Sequence, residues 1–176
     1  MKVAFGILIG IVVIGLALVS VFQASGPKAV NNSALQIGEV RGDRLGMDFK
    51  DYQKLHPGDC DSGGASACTS SLGRTTYAGA SAIKSMTFTS DGKLAQIDYV
   101  ADANDASTIL GALKEKYGDN GCTTSTKLCS WTNGKAKVQY SNGEKAVSLT
   151  FVDQALMDQW SREYQQKKAS ERKTDQ

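Results

Sequence analysis

A serine and a histidine lie close together in the segment His56 to Cys68, and they raise the question of hydrolytic chemistry. The segment reads HPGDCDSGGASAC, in which Asp61 and Ser62 precede two glycines. A catalytic serine needs a histidine and an acid within hydrogen-bond reach, in a fold that also places an oxyanion hole. His56 is the single histidine of the chain, and a short turn-rich loop does not build such a scaffold. We therefore interpret Ser62 as part of a loop and predict no catalytic residue.

The same segment carries donors that suit a metal ion. His56, Asp59 and Asp61 could together bind a metal weakly at the surface. The simpler interpretation is the end of a helix followed by a turn, because Pro57 and Gly58 come directly after the histidine. Asp91-Gly92 and Asn133-Gly134 are similar to parts of calcium loops, but the acidic residues at alternate positions and the closing glutamate of such loops are missing there. The sequence has no phosphate-binding glycine loop of the P-loop type. We predict no metal and no cofactor.

The four cysteines form two local pairs. Seven residues separate Cys60 from Cys68, and six separate Cys122 from Cys129. An even number in local pairs predicts two disulfides in an oxidising compartment. A zinc site built from four thiolates is the alternative, but such sites favour gaps of about two to four residues within each pair. We expect each disulfide to stabilise the fold by about 2–3 kcal/mol.

The N-terminus is a long apolar run. From Val3 to Phe22 no residue is charged, and a helix of about 20 residues spans the hydrocarbon core of a bilayer. A cleaved signal peptide is the alternative, although its apolar region is usually about 7–15 residues long and the best cleavage triplet here is followed by Pro27. We expect an uncleaved anchor over residues 1–23, in the inner membrane, with the following domain in the periplasm. Cleavage would make the protein secreted.

Two further features bear on partners. Gly6 and Gly10 form a GxxxG pair in the anchor, a spacing that lets two membrane helices approach closely. Glycine is common in membrane helices, so homodimerisation through this pair is an alternative to a monomer. The net charge is +2, and the globular part has no basic stripe interleaved with aromatic residues, so we predict no nucleic-acid partner.

The rest of the chain contains two similar units. Residues 24–33 are small and polar and predict a linker. Residues 34–165 form the predicted extracytoplasmic domain, with one unit over about 34–101 and the second over about 102–165. Each unit has a helix, a cysteine just beyond it, a second cysteine that enters a strand, and hairpin strands. The equivalent cysteines lie 62 and 61 residues apart.

Local patterns support these elements. Apolar residues at helical spacing from Ala106 to Tyr117 form one face of a helix, and Gly118 is its predicted end. Asp48 and Asp105 are predicted N-caps. In the strands the apolar residues alternate, and the dipeptides that supply tight hairpin turns are Asp91-Gly92, Asn133-Gly134 and Asn142-Gly143.

The last helix begins at Asp153, and Leu156, Trp160 and Tyr164 lie one turn apart on it, so this edge can cover the sheet. Residues 166–176 form a polar tail that we expect to fray. The predicted fold class is therefore α+β: an N-terminal transmembrane helix, a duplicated unit of a helix plus antiparallel β-hairpin strands, and a C-terminal helix.

One short motif carries a resemblance. Arg44-Leu45-Gly46-Met47 precedes a short helix, a Pro-Gly or Tyr-Gly stop, a cysteine-bounded loop and an antiparallel sheet. This order resembles the unit shared by BamE-like small envelope proteins and beta-lactamase inhibitory protein, and the latter is also a tandem repeat with one local disulfide in each half. The resemblance covers about residues 34–164 and implies the fold and a protein-binding role. BamE-like proteins carry a lipid-bearing cysteine where this chain has its apolar run, and no inhibitor contact residue matches.

One face of the predicted sheet is polar. Lys135, Lys137 and Gln139 alternate with apolar residues of a strand, which is typical of a sheet with one buried face. We predict that this face and the adjoining disulfide loops bind another envelope protein, in a membrane-anchored, periplasmic, non-enzymatic domain. The alternative is a secreted or tethered inhibitor of a hydrolase, such as a lysozyme, protease or beta-lactamase, whose active site the loop from Cys60 to Cys68 enters.

Overall fold

The computed structural model describes residues 39–60, 68–69, 75–122 and 127–174. These residues form a large antiparallel sheet, a small two-stranded ribbon and α-helices. The predicted α+β class and the C-terminal helix are confirmed. Residues 1–23, the predicted anchor, lie outside these ranges, and no helix within the ranges is long and apolar enough to cross a membrane.

The described elements follow one another in a simple order. The ribbon consists of β1 (Glu39–Val40) and β2 (Asp43–Arg44), and helix α1 spans Phe49–Leu55. Strands β3 (Cys68–Thr69), β4 (Thr75–Tyr77), β5 (Ala80–Phe88) and β6 (Leu94–Asp102) come next. After a 3-10 turn at Ala103–Asp105 come helix α2 (Ala106–Tyr117) and a second 3-10 turn at Asp119–Gly121. Strands β7 (Leu128–Asn133), β8 (Ala136–Asn142) and β9 (Ala146–Asp153) lead into helix α3 (Gln154–Thr174).

The large sheet has the strand order β3-β5-β6-β9-β8-β7, and β4 also pairs with β5. All of these neighbours are antiparallel. The three predicted turns connect β5 to β6, β7 to β8 and β8 to β9, which confirms the hairpins. Strands β6 and β9 form the centre, paired from Gln96 with Val152 to Asp102 with Ala146. This central pairing joins distant segments, so no local pattern predicts it.

One face of the large sheet, called the inner face here, belongs to the hydrophobic core together with α1 and α2. Its strands contribute buried residues at every second position, chiefly Met86, Phe88, Ile97, Tyr99, Val138, Tyr140, Leu149 and Phe151. From the helices come Tyr52, Ile109, Leu113 and Tyr117. The predicted apolar face of α2 is thereby confirmed, and Gly118, with a φ of 86°, ends this helix as predicted.

The helix caps differ from the prediction. Asp48 and Asp105 stand at N-cap positions, but neither side chain makes a capping hydrogen bond. The Asp48 carboxylate instead accepts a hydrogen bond from Lys93 Nζ at 2.9 Å. Before α2, a side-chain cap is found on the 3-10 turn at Ala103–Asp105, where Asp102 Oδ1 accepts from the Asn104 backbone N–H at 2.8 Å. At Asp48 the Lys93 ammonium thus competes with the backbone N–H groups for the carboxylate. A sequence pattern does not reveal this contact between distant residues.

Helix α3 begins as predicted, with Asp153 Oδ1 accepting from the backbone N–H groups of Ala155 and Leu156 at 3.0 and 3.2 Å. The helix contacts β6 and β9, and the rings of Trp160 and Tyr164 stack with centroids 5.3 Å apart. It continues to Thr174 where the sequence predicts a frayed tail, and residues 165–172 are exposed. Glutamine, lysine, alanine and glutamate favour helix, which accounts for the extension without tertiary contacts.

The β4–β5 turn gives a prediction on stability. Ala78 and Gly79 have φ values of 51° and 85°, and the left-handed region costs a non-glycine residue roughly 1–2 kcal/mol. Asparagine is favoured at the first position of such turns, so Ala78→Asn should raise the free energy of unfolding by about 1 kcal/mol. Urea denaturation measures this change. As a control, Ala169→Asn in exposed α3 should lower stability by up to about 0.7 kcal/mol through helix propensity.

Two buried tyrosines give a second prediction. The Tyr117 hydroxyl is buried and has no hydrogen-bond partner among the described residues, whereas the Tyr140 hydroxyl donates to the Ala106 carbonyl at 3.2 Å. A buried hydroxyl without a partner costs about 1–3 kcal/mol. Tyr117→Phe should therefore stabilise the fold by about 1 kcal/mol, while Tyr140→Phe should destabilise it by about 0.5–1.5 kcal/mol. Equal shifts of the two thermal midpoints would contradict this assignment.

Candidate functional site

The face of the large sheet opposite the core, called the outer face here, carries mostly hydroxyl and amide side chains. Lys137 and Gln139 both lie on it, while Lys135 lies exposed in the β7–β8 turn at its margin. Cross-strand pairs arrange the outer face in three rows. The central row is Ser85, Asp98, Thr150, Gln139 and Ser130; the Ile83 row is Ile83, Val100, Ser148, Ser141 and Leu128; the Lys137 row is Thr87, Gln96, Val152, Lys137 and Thr132.

Asp98 is at the middle of this face. Its Oδ1 accepts a hydrogen bond from Thr150 Oγ1 at 2.6 Å, and its Oδ2 accepts from Gln96 Nε2 at 2.6 Å. Burial raises the pKa of the Asp98 carboxyl, although both hydrogen bonds act to lower it. Among the described residues no cationic nitrogen forms an ion pair with it. The centre of the outer face is therefore a carboxylate without a counter-charge in the described part of the chain.

Sequence reasoning did not single out Asp98, although the pattern that selected Lys137 and Gln139 contains it. Ile97 and Tyr99 are buried on the inner face, so strand alternation alone places Asp98 on the outer face.

Lys137 lies opposite Val152, which is 6% exposed, and burial lowers the pKa of the Lys137 ammonium.

A second group of polar residues, the Asp43 cluster, lies on the core side of the sheet and consists of Asp43, Tyr52, His56, Asp59 and Lys84. Lys84 Nζ donates to Asp43 Oδ2 at 2.6 Å and to the Tyr52 hydroxyl at 3.3 Å. The Tyr52 hydroxyl donates to Asp59 Oδ2 at 2.9 Å. Burial and the neighbouring Asp59 hold the pKa of Tyr52 well above its usual range. The cluster ties β2, α1 and β5 together through charge-assisted hydrogen bonds.

His56 belongs to this cluster and does not form a serine–histidine pair among the described residues. Its Nε2 lies 2.6 Å from Asp43 Oδ1, its Nδ1 lies 4.0 Å from Asp59 Oδ2, and its ring stacks on Tyr52. Both ring nitrogens thus face carboxylates, an arrangement that orients the imidazole as a structural link. Ser62 and Asp61 lie outside the described residues, so the absence of catalysis there stays a prediction.

No metal centre is formed within the described residues, where no three histidine, cysteine, aspartate or glutamate side chains converge on one point. Sequence reasoning also missed the pairing of Asp43 with Lys84. The burial of Lys84 could be predicted from the sequence, because Lys84 alternates in phase with Ala82 and Met86, which are buried, on β5. The burial of Asp43 could not, since its partner Lys84 lies 41 residues away in the sequence.

The disulfide between Cys122 and Cys129 is confirmed, with a Cα–Cα distance of 4.0 Å. It joins the end of the second 3-10 turn to β7, next to Trp131, whose Nε1 donates to the Gly118 carbonyl at 2.8 Å. Cys60 also takes part in a disulfide. Cys68, its predicted partner, lies in β3, but its side chain is outside the described part of the structure.

Comparisons with known proteins add no assignment. No protein-family model matches the chain, and neither a curated protein nor a solved structure is similar to it at a significant level. Function must therefore be inferred from the geometry of the two polar sites and from the sequence.

Proposed function

We propose that this chain is a membrane-anchored, periplasmic, non-enzymatic domain that binds another protein of the bacterial cell envelope through the outer face of its sheet. The observation that supports this most directly is the composition of that face. It combines hydroxyl and amide side chains, including Gln139, with three exposed apolar residues, Ile83, Val100 and Leu128, in a single row. Protein interfaces combine apolar contacts with about one hydrogen bond per 100–200 Å², which suits this mixture.

The duplicated unit is part of the proposal. A helix, a cysteine beyond it, a cysteine at a strand and further strands occur in the same order around α1 and around α2, and the first unit has the additional short strand β4. The last strands of the two units, β6 and β9, pair at the centre of the sheet. Both units then contribute strands to one outer face, and α3 contacts β6, β9 and the β5–β6 turn at one end of it, where Val152 is buried. A tandem unit of this type is also what the resemblance to BamE-like proteins and beta-lactamase inhibitory protein implies.

The proposed location has its own support. The apolar run from Val3 to Phe22 has the length of a membrane span, and the Cys122–Cys129 disulfide favours an oxidising compartment. The mass of the intact protein, purified from membranes without reductant, tests both points. We expect the first residues to be present and the mass to lie about 4 Da below that of the reduced chain. Free thiols in native material would contradict the location.

Photocrosslinking in living cells tests the binding surface. A photoreactive amino acid at Gln139, on the outer face, should give a specific adduct with another envelope protein. The matched control is the same amino acid at Glu115, an exposed residue of α2, which should give none. The same adduct at Gln139 and Glu115, or no adduct at Gln139 together with none at Ser148, a second outer-face position, would show that the outer face does not bind a partner.

The alternative role as a hydrolase inhibitor stays a prediction, because residues 61–67 of the proposed inhibitory loop lie outside the described residues. Addition of the purified domain at about micromolar concentration to a lysozyme, a protease and a beta-lactamase tests it. Unchanged hydrolysis rates for all three would remove this alternative.

A further inference from the structure

The central row of the outer face contains one charged residue, Asp98, between hydroxyl and amide side chains. Asp98 is half-buried, and a partner that covers the outer face would remove its remaining water. An ionised carboxylate without water is costly unless it is paired with a cation and hydrogen-bonded. Asp98 has two hydrogen bonds but no cation among the described residues. The missing charge is what a bound partner would supply.

We infer that Asp98 receives an arginine of the partner protein, and that an apolar side chain beside this arginine covers Ile83 and Val100. This inference rests on the proposed function and adds the chemistry of the partner. It concerns a protein segment, because the contact surface combines a carboxylate with an apolar patch and the hydroxyl side chains of Ser85 and Thr150.

The free acceptor capacity of Asp98 fits a guanidinium group. An ionised carboxylate has about four lone-pair positions, and Thr150 and Gln96 occupy one position on each oxygen. One position on each oxygen stays available, which matches the two parallel N–H groups of arginine. A lysine ammonium is a point charge that makes no such paired contact.

The apolar part of the inferred contact lies directly beside Asp98. Ile83 and Val100 are cross-strand partners with exposed fractions of 47% and 37%. Val100 is two residues from Asp98 on the same strand, so the side chains point in the same direction about 6.6 Å apart. The aliphatic stem of an arginine and a neighbouring apolar residue can cover both side chains while the guanidinium reaches Asp98.

Crosslinking of the full-length protein in its membrane tests this inference. Ser148 pairs with Val100 and lies next to Thr150 on β9, so a photoreactive amino acid at Ser148 reports on this part of the face. We expect an adduct whose partner peptide, mapped by mass spectrometry, contains an arginine. Asp98→Asn should lower the adduct yield about tenfold or more, as expected for loss of a hydrogen-bonded charge pair. Replacement of the mapped arginine by glutamine should give the same loss, with no additional loss in combination.

Control variants distinguish an effect of the Asp98 charge on the adduct yield from an effect of unfolding. Asp119→Asn removes a carboxylate that is 80% exposed and should leave the yield unchanged. Asp98→Asn keeps the shape of the side chain but replaces one acceptor oxygen with an NH2 donor, so it gives up one of the two hydrogen bonds from Thr150 and Gln96. The thermal midpoint should fall only slightly, and its measurement shows that the variant stays folded. If Asp98→Asn unfolds the protein, Ile83→Ser tests the inference instead. The Ile83 side chain is exposed, so this substitution should leave the fold intact and lower the adduct yield about tenfold.

The outcomes distinguish the two proposals. Adducts that persist in Asp98→Asn overturn the inference and leave the proposed function standing. A mapped peptide without arginine, or one from a second copy of this chain, also overturns it. If neither Ser148 nor Gln139 gives an adduct in the unmodified background, the proposed function fails and the inference fails with it.

Discussion

Asp43→Ala should lower the free energy of unfolding by about 3–5 kcal/mol, because it leaves a buried lysine without its anion. Asp43 is 1% exposed, and its carboxylate lies 2.6 Å from Lys84 Nζ and 2.6 Å from His56 Nε2. The Lys84 side chain is 7% exposed, so water cannot replace the lost carboxylate. Urea denaturation followed by tryptophan fluorescence measures the change.

Two comparisons show whether the buried charge is the cause. Asp51 forms an exposed ion pair with Lys54 at 2.9 Å, and Asp51→Ala should change stability by less than about 0.5 kcal/mol. Lys84→Met in the Asp43→Ala background removes the orphaned charge and should restore most of the loss. A loss below about 1 kcal/mol for Asp43→Ala, or a double variant no more stable than the single one, would contradict the assignment.

The parts of the fold that follow from neighbouring residues could be predicted from the sequence. Gly118 ends α2 because a glycine tolerates its φ of 86°, and the Asn133-Gly134 turn closes the β7–β8 hairpin. The Cys122–Cys129 disulfide joins residues only seven positions apart. In each case the structural cause lies within a few residues of its effect.

The parts that depend on distant contacts could not be predicted. The β6–β9 pairing brings together Asp98 and Thr150, which are 52 residues apart. The Asp43 cluster requires β2 to meet β5, and Asp48 loses its capping role because Lys93 approaches from another loop. Alternation places Asp98 and Gln139 each on the polar side of its own strand, but only the strand order shows that they lie in one row, with Thr150 between them.

Gly121→Ala is the second substitution with a large expected effect, because the indole of Trp131 occupies the space that a side chain would need. A Cβ at position 121 would lie 2.4 Å from Trp131 Cε2 and 2.5 Å from Nε1. The ring would have to move, which breaks its hydrogen bond to the Gly118 carbonyl and its contact with Tyr117. The neighbouring Cys122–Cys129 disulfide restrains the backbone from moving instead. We expect a loss of about 3 kcal/mol or more from overpacking.

The matched control for this substitution is Gly111→Ala in α2. Gly111 is exposed, and a Cβ there meets no atom within 4 Å, so alanine should raise the free energy of unfolding by about 0.5–1 kcal/mol through helix propensity. The same chemical change should thus have opposite signs at the two positions, as measured by urea denaturation. If Gly121→Ala were neutral, Trp131 would have room to move, and the tight contact between the 3-10 turn and β7 would not be what stabilises the disulfide-linked end of the sheet.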